Sequence, residues 1–394
     1  MSFDLSSFDP RSALPQDHPA GTLVGRVWVP GDGPCVAVLR DGVLFDVTAQ
    51  APTMSQLLNR PDRWEIIGGA PEGRRIGAVE EVLANSLTAG RDDSKPHLLA
   101  PCDLQAIRGC GVTFIRSMLE RVIEERAGGD ATQAERLRAG MAEAVGAEIA
   151  RVRPGSPEAA RLKAELQRQG LWSQYLEVAI GPDAELFTKA QPMAAVGFGS
   201  DLGIHPDSTW NNSEPEIVLV VDAGGSIVGA TLGNDVNLRD FEGRSALLLG
   251  KSKDNNGSCV IGPFIRLFDG SFTLDDLRNG EISYSVSGAD GFTLSDRGSL
   301  GDMARDFEEL VQQTTNRTRQ HPDGLMLFTG TTFAPTMDRG EAGAGFTHHQ
   351  DDIVAIHMPK LGTLVNRVGS SDAIAPWTFG IAALMQSLFR RGFV

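Results

Sequence analysis

Four cysteines in 394 residues, Cys35, Cys102, Cys110 and Cys259, are too few for a disulfide framework and too far apart for a CxxC zinc arrangement. Positive charge is short as well. Against 51 Asp and Glu stand 36 Lys and Arg, and the net charge of −15 repels phosphate backbones and anionic membrane surfaces. That balance argues against a nucleic-acid or membrane partner. No run is apolar enough for a bilayer span: the longest uncharged stretch, residues 373–389, has 17 residues and includes Pro376, Thr378, Gln386 and Ser387. The start, MSFDLSSFDP, has neither a basic region nor an apolar core, so the expectation is a reduced, cytoplasmic protein. No repeat of fixed period and no low-complexity segment is present.

What the chain does have is length for two domains and 41% hydrophobic residues, enough to fill a large core. Glycine (45) and proline (21) make up about a sixth of it, against roughly 12% in an average chain, and this turn-rich composition predicts many strands. Residues 21–47 alternate apolar and polar side chains between Gly-Asp-Gly-Pro and Asp-Gly turns, which predicts short antiparallel strands. A polar stretch ending at Pro96 then marks a boundary near residue 97. The reading is a small N-terminal α+β domain, rich in strands, over 1–97 and a larger domain over 98–394. Within the latter, Met118, Val122 and Ile123, then Leu137, Met141, Val145 and Ile149, recur at helical spacing and predict a helical insertion at about 115–170. Its last helix is well punctuated, with Ser156 as N-cap, Pro157 at the first position and Gly170 as the stop. From residue 176 onward the helical signal fades, and runs such as IVLVV at 217–221 predict buried strands.

Two phosphate-binding signals fail. Gly250-Lys251-Ser252 has Ser245 where a Walker loop needs glycine, and Gly197-Phe198-Gly199 has Leu202 where a dinucleotide fingerprint needs its third glycine. His348, His349 and His357 have no partner at zinc-ligand spacing and read as packing or surface residues. Glu214 and Glu216 are more informative. They lie two apart at the start of an apolar strand, so the pleat projects both carboxylates from one face; a solvated strand end is the plain alternative. Asp235 follows after a Gly-Gly turn and a second strand, where a hairpin returns it to the pair. Three converging carboxylates repel unless a cation lies between them, and hard oxygen ligands select Mg²⁺, Mn²⁺ or Ca²⁺. Arg239 and Lys253 nearby suggest an anionic substrate, or merely neutralise the glutamates.

The order Glu-x-Glu, Asn-Asp-Val-x-x-Arg-Asp (234–240), Lys-Ser-Lys ahead of Gly-Pro-Phe, Thr329-Gly330-Thr331 and Leu361-Gly362-Thr363-Leu364 resembles the fumarylacetoacetate hydrolase superfamily over about residues 98–394. The resemblance implies an α+β fold: a mixed β-roll catalytic domain of that type with a helical insertion, plus the small β-rich N-terminal domain. It implies Mg²⁺, with Mn²⁺ as substitute, on Glu214, Glu216 and Asp235. Lys253 then lies over the substrate, and Arg239, Thr331 and Phe114 bind it. Hydrolases of the family place a His three residues after the aromatic residue matched by Phe114; here that position is Ser117, followed by Glu120. Without the imidazole the base for water is missing. The neighbouring segments are similar to the branch that dehydrates 2-keto-3-deoxy sugar acids.

The implied activity is Mg²⁺-dependent dehydration of a 2-keto-3-deoxypentonate to 2-oxoglutarate semialdehyde in oxidative pentose degradation. Lys253 is the expected base, which requires a lowered pKa, Glu120 the acid and Ser117 a hydrogen-bonding helper. An acylpyruvate or diketo acid hydrolase on the same scaffold is the nearer alternative, and a non-catalytic sugar-acid binding protein the farther. A homodimer or homotetramer is the implied assembly.

Overall fold

Residues 5, 8–87, 90–138, 152–333, 335–341 and 345–393 are described by a computed structural model. Pro215–Val221 (PEIVLVV) is buried along its whole length, because it pairs antiparallel with Ile227–Asp235 on one side and Leu325–Phe328 on the other while other elements cover both faces. The first of these pairs is a hairpin. Its turn is closed by Asp222 Oδ1, which accepts from the amides of Gly224 (3.0 Å) and Ser226 (2.9 Å), and Gly225 supplies the positive φ of 84°.

This hairpin lies inside a large mixed sheet. Its strand order is Arg74–Ala78, Val43–Asp46, Gly33–Arg40, Leu23–Val29, Cys259–Leu267, Ile227–Asp235, Pro215–Val221, Leu325–Phe328, Ala106–Gly111 and Glu185–Ala190. All neighbours along it are antiparallel except Leu325–Phe328 with Ala106–Gly111. The antiparallel meander expected at 21–47 is present, and it joins this sheet through Leu23↔Arg266 and Val24↔Ile265. The expected boundary near residue 97 falls at His97–Leu99, a short strand paired with Leu23–Val29. A second sheet runs Thr293–Ser299, Glu281–Ser287, Ile353–Met358, Gly362–Ser370 and Asp201–Ile204, the last pair parallel. Leu232, Val260 and Phe264 of the large sheet share one buried cluster with Val354, Ile356 and Leu364 of the second. Each such side chain contributes roughly 1.5–3 kcal/mol on burial.

The helices of the insertion form their own cluster, in which Met118, Val122 and Ile123 pack with Leu166, Leu176, Ile180 and Trp210. Pro157–Arg168 is bounded as expected: Ser156 Oγ accepts from the Ala159 amide at 3.1 Å, and Gly170 has a φ of 71°. Residues 131–138 are helical. Met141, Val145 and Ile149, expected on the same helix, lie outside the described residues. Among the described residues no helix is long and apolar enough to cross a membrane.

Candidate active site

The open end of the Pro215–Val221 hairpin gathers the carboxylates. Asp235 is opposite Glu214, its amide donating to the Glu214 carbonyl at 2.9 Å, and residues directly opposite share a face of the sheet. Glu216 lies two residues along on that face. One oxygen from each of Glu214, Glu216 and Asp235 falls within 4.8 Å of the others, and all three residues are buried. The alternative of a solvated strand end is therefore set aside. Gly330 helps to fix the group: its amide donates 2.7 Å to Glu216 Oε2. It needs a φ of 91°, and a Cβ there would meet Thr113 Oγ1 at 2.0 Å.

Lys253, at the end of the short helix Leu249–Lys253, brings its Nζ to 2.5 Å from Glu214 Oε2 and 2.9 Å from Asp235 Oδ2. Burial works against its ammonium form, but Asp235, Glu214 and Glu242 outweigh burial and hold the pKa above the usual lysine range. The lowered pKa expected for a lysine base is not found, because three carboxylates surround the amine. Asp235 shifts the other way. Burial would raise it, yet the ammoniums of Lys189 and Lys253 keep it below the usual carboxylate range.

Four of the cleft's partners are ones that motif reasoning passes over. Arg121 reaches from the helix Ile115–Ala127 to Glu214, and it pairs with Glu124 (2.6 Å) and Glu242 (3.4 Å). Glu185 and Lys189 stand on one face of the strand Glu185–Ala190. Lys189 Nζ lies 2.8 Å from Asp235 Oδ1 and is fully buried. Glu185 is half-buried in the cleft wall opposite Gly111, where a Cβ would lie 2.0 Å from its Oε2. Burial, then the neighbouring Glu242, push the Glu185 carboxyl up to about 7. The fourth is Glu242 itself, raised chiefly by burial.

The remaining expected residues divide. Ser117 and Thr331 line the same cleft as the carboxylates, Lys253, Arg121, Glu185 and Glu242. Glu120 is not brought to that lining. It accepts from Arg138 through both oxygens, at 2.9 and 2.8 Å, and from Arg239 Nη2 at 3.2 Å. Arg239 also donates to Glu124 Oε1 (2.6 Å) and the Pro335 carbonyl (3.1 Å), and stacks 4.3 Å over the Trp210 ring. Phe114 is buried at the N-cap of the helix, beside the wall of a second cavity.

The donor set fits a divalent cation. Six carboxyl groups, of Glu124, Glu185, Glu214, Glu216, Asp235 and Glu242, meet four cations, Arg121, Lys189, Arg239 and Lys253, so ionising all six would need a further cation. Burial first, and Asp235 and Glu214 next, raise the pKa of Glu216 well above the carboxylate range. Asp235 Oδ1 is buried and faces the Lys189 ammonium at 2.8 Å. Oxygens of this kind are hard ligands for Mg²⁺ or Mn²⁺.

The Glu185 shift has a consequence for the metal-free protein. Its folded pKa of about 7 exceeds the ordinary glutamate value of 4.5 that the unfolded chain has, so between these pH values the folded state holds a proton that the unfolded state has released. Its contribution to stability is complete below about 4.5 and is lost as pH rises through 7. Thermal unfolding of the metal-free protein and of Glu185→Gln should therefore diverge across that window, the variant gaining relative to the wild type as pH rises. Parallel Tm profiles would contradict the assignment.

The family model "Fumarylacetoacetate (FAA) hydrolase C-terminal" matches residues 177–369. A 2-dehydro-3-deoxy-D-arabinonate dehydratase of Saccharolobus solfataricus is 33% identical over 187 residues, 47% of this chain but only 58% of the relative's length. A protein of Haloferax volcanii named "Probable 2-keto-3-deoxyxylonate dehydratase" is 30% identical over 206 residues, 52% of this chain and 67% of that one. Among solved structures, a 2-keto-3-deoxy-D-arabinonate dehydratase complexed with magnesium and 2,5-dioxopentanoate superposes with a TM-score of 0.59 at 22% identity, covering 89% of this chain and 99% of that chain. This last likeness is one of fold.

Proposed function

This chain belongs to the fumarylacetoacetate hydrolase family, and we propose that it is a Mg²⁺-dependent hydro-lyase converting a 2-keto-3-deoxypentonate to 2-oxoglutarate semialdehyde (2,5-dioxopentanoate). The observation that carries the reading is the buried Glu214–Glu216–Asp235 cage facing Lys253, with Ser117 rather than an imidazole at its rim. The names of the two relatives and the ligands in the related structure support it. Glu214, Glu216 and Asp235 would hold Mg²⁺, with Mn²⁺ as a substitute. The cation's contribution, when bound, is Lewis acidity toward a 2-oxo acid, which acidifies the protons on C3.

The proton steps belong to the chain's own groups. Glu185, which lines the cleft beside the three carboxylates, takes the C3 proton and returns it to the C4 hydroxyl, which leaves as water as the C4–O bond breaks; one carboxyl can serve in both senses. The double bond then moves from C3–C4 to C4–C5 as a proton leaves C5 and another joins C3, and the resulting enol becomes the aldehyde. Lys253, charged, faces the negative charge that grows on the substrate oxygens, and Arg121 offers a second cation beside Glu214. Ser117 and Thr331 supply hydroxyls at the wall. Glu120, engaged by Arg138 and Arg239, holds the helix Ile115–Ala127 and is replaced as acid by Glu185.

A hydrolase of acylpyruvates on the same scaffold needs an activated water, and the cleft has Ser117 where the family's hydrolases carry an imidazole for that water. A panel of five- and six-carbon 2-keto-3-deoxy acids and acylpyruvates distinguishes the two. The proposal expects a trapped semialdehyde from the five-carbon acid and no turnover of acylpyruvates; two acid fragments from an acylpyruvate would overturn it. The working form is a homodimer or homotetramer in the cytoplasm. Four buried free cysteines suit a reducing compartment, and exposed Trp377, Ile381, Met385 and Phe389, four apart along the C-terminal segment, suit a subunit contact.

A further inference from the structure

His348 and His349 stand side by side in sequence yet have opposite fates. The side chain of His349 is half exposed and lies 3.3 Å from Asp290, whereas that of His348 is completely buried. His348 Nδ1 lies 3.1 Å from Asp352 Oδ2, and its Nε2 lies 3.0 Å from Ser213 Oγ. The order Asp–His–Ser is that of a nucleophilic triad, but two observations exclude that use. Ser213 is fully buried and does not line the cleft. The Ser213 backbone amide also donates to His348 Nε2 at 3.1 Å, so this nitrogen carries a lone pair already engaged, and Nδ1 must carry the hydrogen that goes to Asp352.

We infer that His348 is a positioning residue for the metal ligand Glu214, acting through the backbone of Ser213. The inference rests on the reading of Glu214, Glu216 and Asp235 as the cation ligands. The Glu214 carbonyl is held by the Asp235 amide, but Ser213 before it falls between that ladder and the short pairing of Asn211–Asn212 with Asn237–Leu238, so side chains must fix the peptide that joins Ser213 to Glu214. From one side Asn234 secures it, Nδ2 donating to Ser213 Oγ (2.9 Å) and Oδ1 accepting from the Glu214 amide (3.2 Å). From the other side the tie is His348, and His348 is anchored in turn. Asp352 receives Arg339 through both oxygens, at 2.5 and 2.7 Å, and the His349 amide at 3.0 Å. Arg339 also holds Asp290. The segment around residue 348, on the second sheet's side of the core, thereby clamps a ligand carried by the first. Partners behind a metal ligand commonly set its affinity, because ligand oxygens must be held within a fraction of an ångström.

The test compares His348→Gln with His348→Asn by titrating Mn²⁺ and following the electron paramagnetic resonance signal of the free ion. Glutamine can present an acceptor where Nε2 stands; asparagine can still donate to Asp352 but leaves the Ser213 amide without a partner. The inference expects His348→Gln to bind Mn²⁺ much as the wild type does and His348→Asn to bind roughly 10- to 100-fold more weakly. Circular dichroism of both should match the wild type. If His348→Asn does not fold, Asp352→Asn, which releases the imidazole from its anion, must show the same weakening. Equal affinity in the wild type and all variants overturns the positioning role and leaves the cage reading standing. A wild type that binds no Mn²⁺ overturns the cage reading and this inference with it.

Discussion

A Glu216→Ala variant is expected to lose Mn²⁺ binding and turnover together, and exhaustive chelation to silence the wild type until Mg²⁺ or Mn²⁺ is restored. The reason is charge. Among the described residues Glu216 receives one hydrogen bond, from Gly330, and is otherwise pressed against Asp235 and Glu214 in a buried site. Such a carboxyl is kept ionised by a cation or is neutralised by a proton. Removing it leaves two ligands that already have ammonium and guanidinium partners in Lys253, Lys189 and Arg121. These partners can satisfy them without metal, so affinity should collapse rather than weaken, and added Mg²⁺ should not rescue the variant. Atomic absorption of the purified variant and a turnover assay in chelator check this. Undiminished turnover in chelator, or a metal-replete and active Glu216→Ala protein, would contradict the assignment of the cage.

Glu185→Gln should lower kcat by roughly 10²- to 10⁴-fold, the scale of removing a positioned proton-transfer group, while leaving Mn²⁺ affinity close to that of the wild type. The amide keeps the volume beside Gly111 and cannot titrate. Glu120→Gln should cost far less turnover, because that carboxyl is committed to Arg138 and Arg239 outside the cleft lining. Lys253→Met should also be slow, but with tighter Mn²⁺ binding, since the change removes a positive charge 2.5 to 2.9 Å from two ligands. Kinetics and Mn²⁺ titration of the three variants side by side check the assignment. A slow Glu120→Gln beside a normal Glu185→Gln would return the proton step to the residue matched by motif.

The cage was legible because its spacing is local. Glu214-x-Glu216 projects from one face by the period of a strand, and the Gly-Gly turn returns Asp235 beside it through a single hairpin. Lys253 follows within the same stretch of chain. The helix Ile115–Ala127 was visible in its apolar side, Met118, Val122 and Ile123. In its opposite stripe Ser117 and Glu120 stood out only through the family resemblance, and Arg121 and Glu124 carried no signal at all, yet all four residues are buried. Only the partner surface tells such a stripe from an ordinary exposed one, and that surface comes from Glu214, Arg239 and Arg138. Glu185 and Lys189 were hidden for a related reason: their strand is an edge of the large sheet, joined to the hairpin only through Ala106–Gly111 and Leu325–Phe328. The burial of His348 likewise depends on Ser213 and Asp352 arriving from different sheets. The meander before residue 97 was legible as strands, but its continuity with the large sheet rests on two residue pairs that no local pattern encodes.

Whether this cleft removes water from a five-carbon 2-oxo acid is decided by proton NMR of 2-keto-3-deoxypentonate with the Mg²⁺-loaded protein in D₂O. Loss of substrate should be matched one for one by 2,5-dioxopentanoate, with deuterium from solvent entering C3. Cleavage of the carbon chain into two fragments, or a substrate unchanged after long incubation, would contradict it.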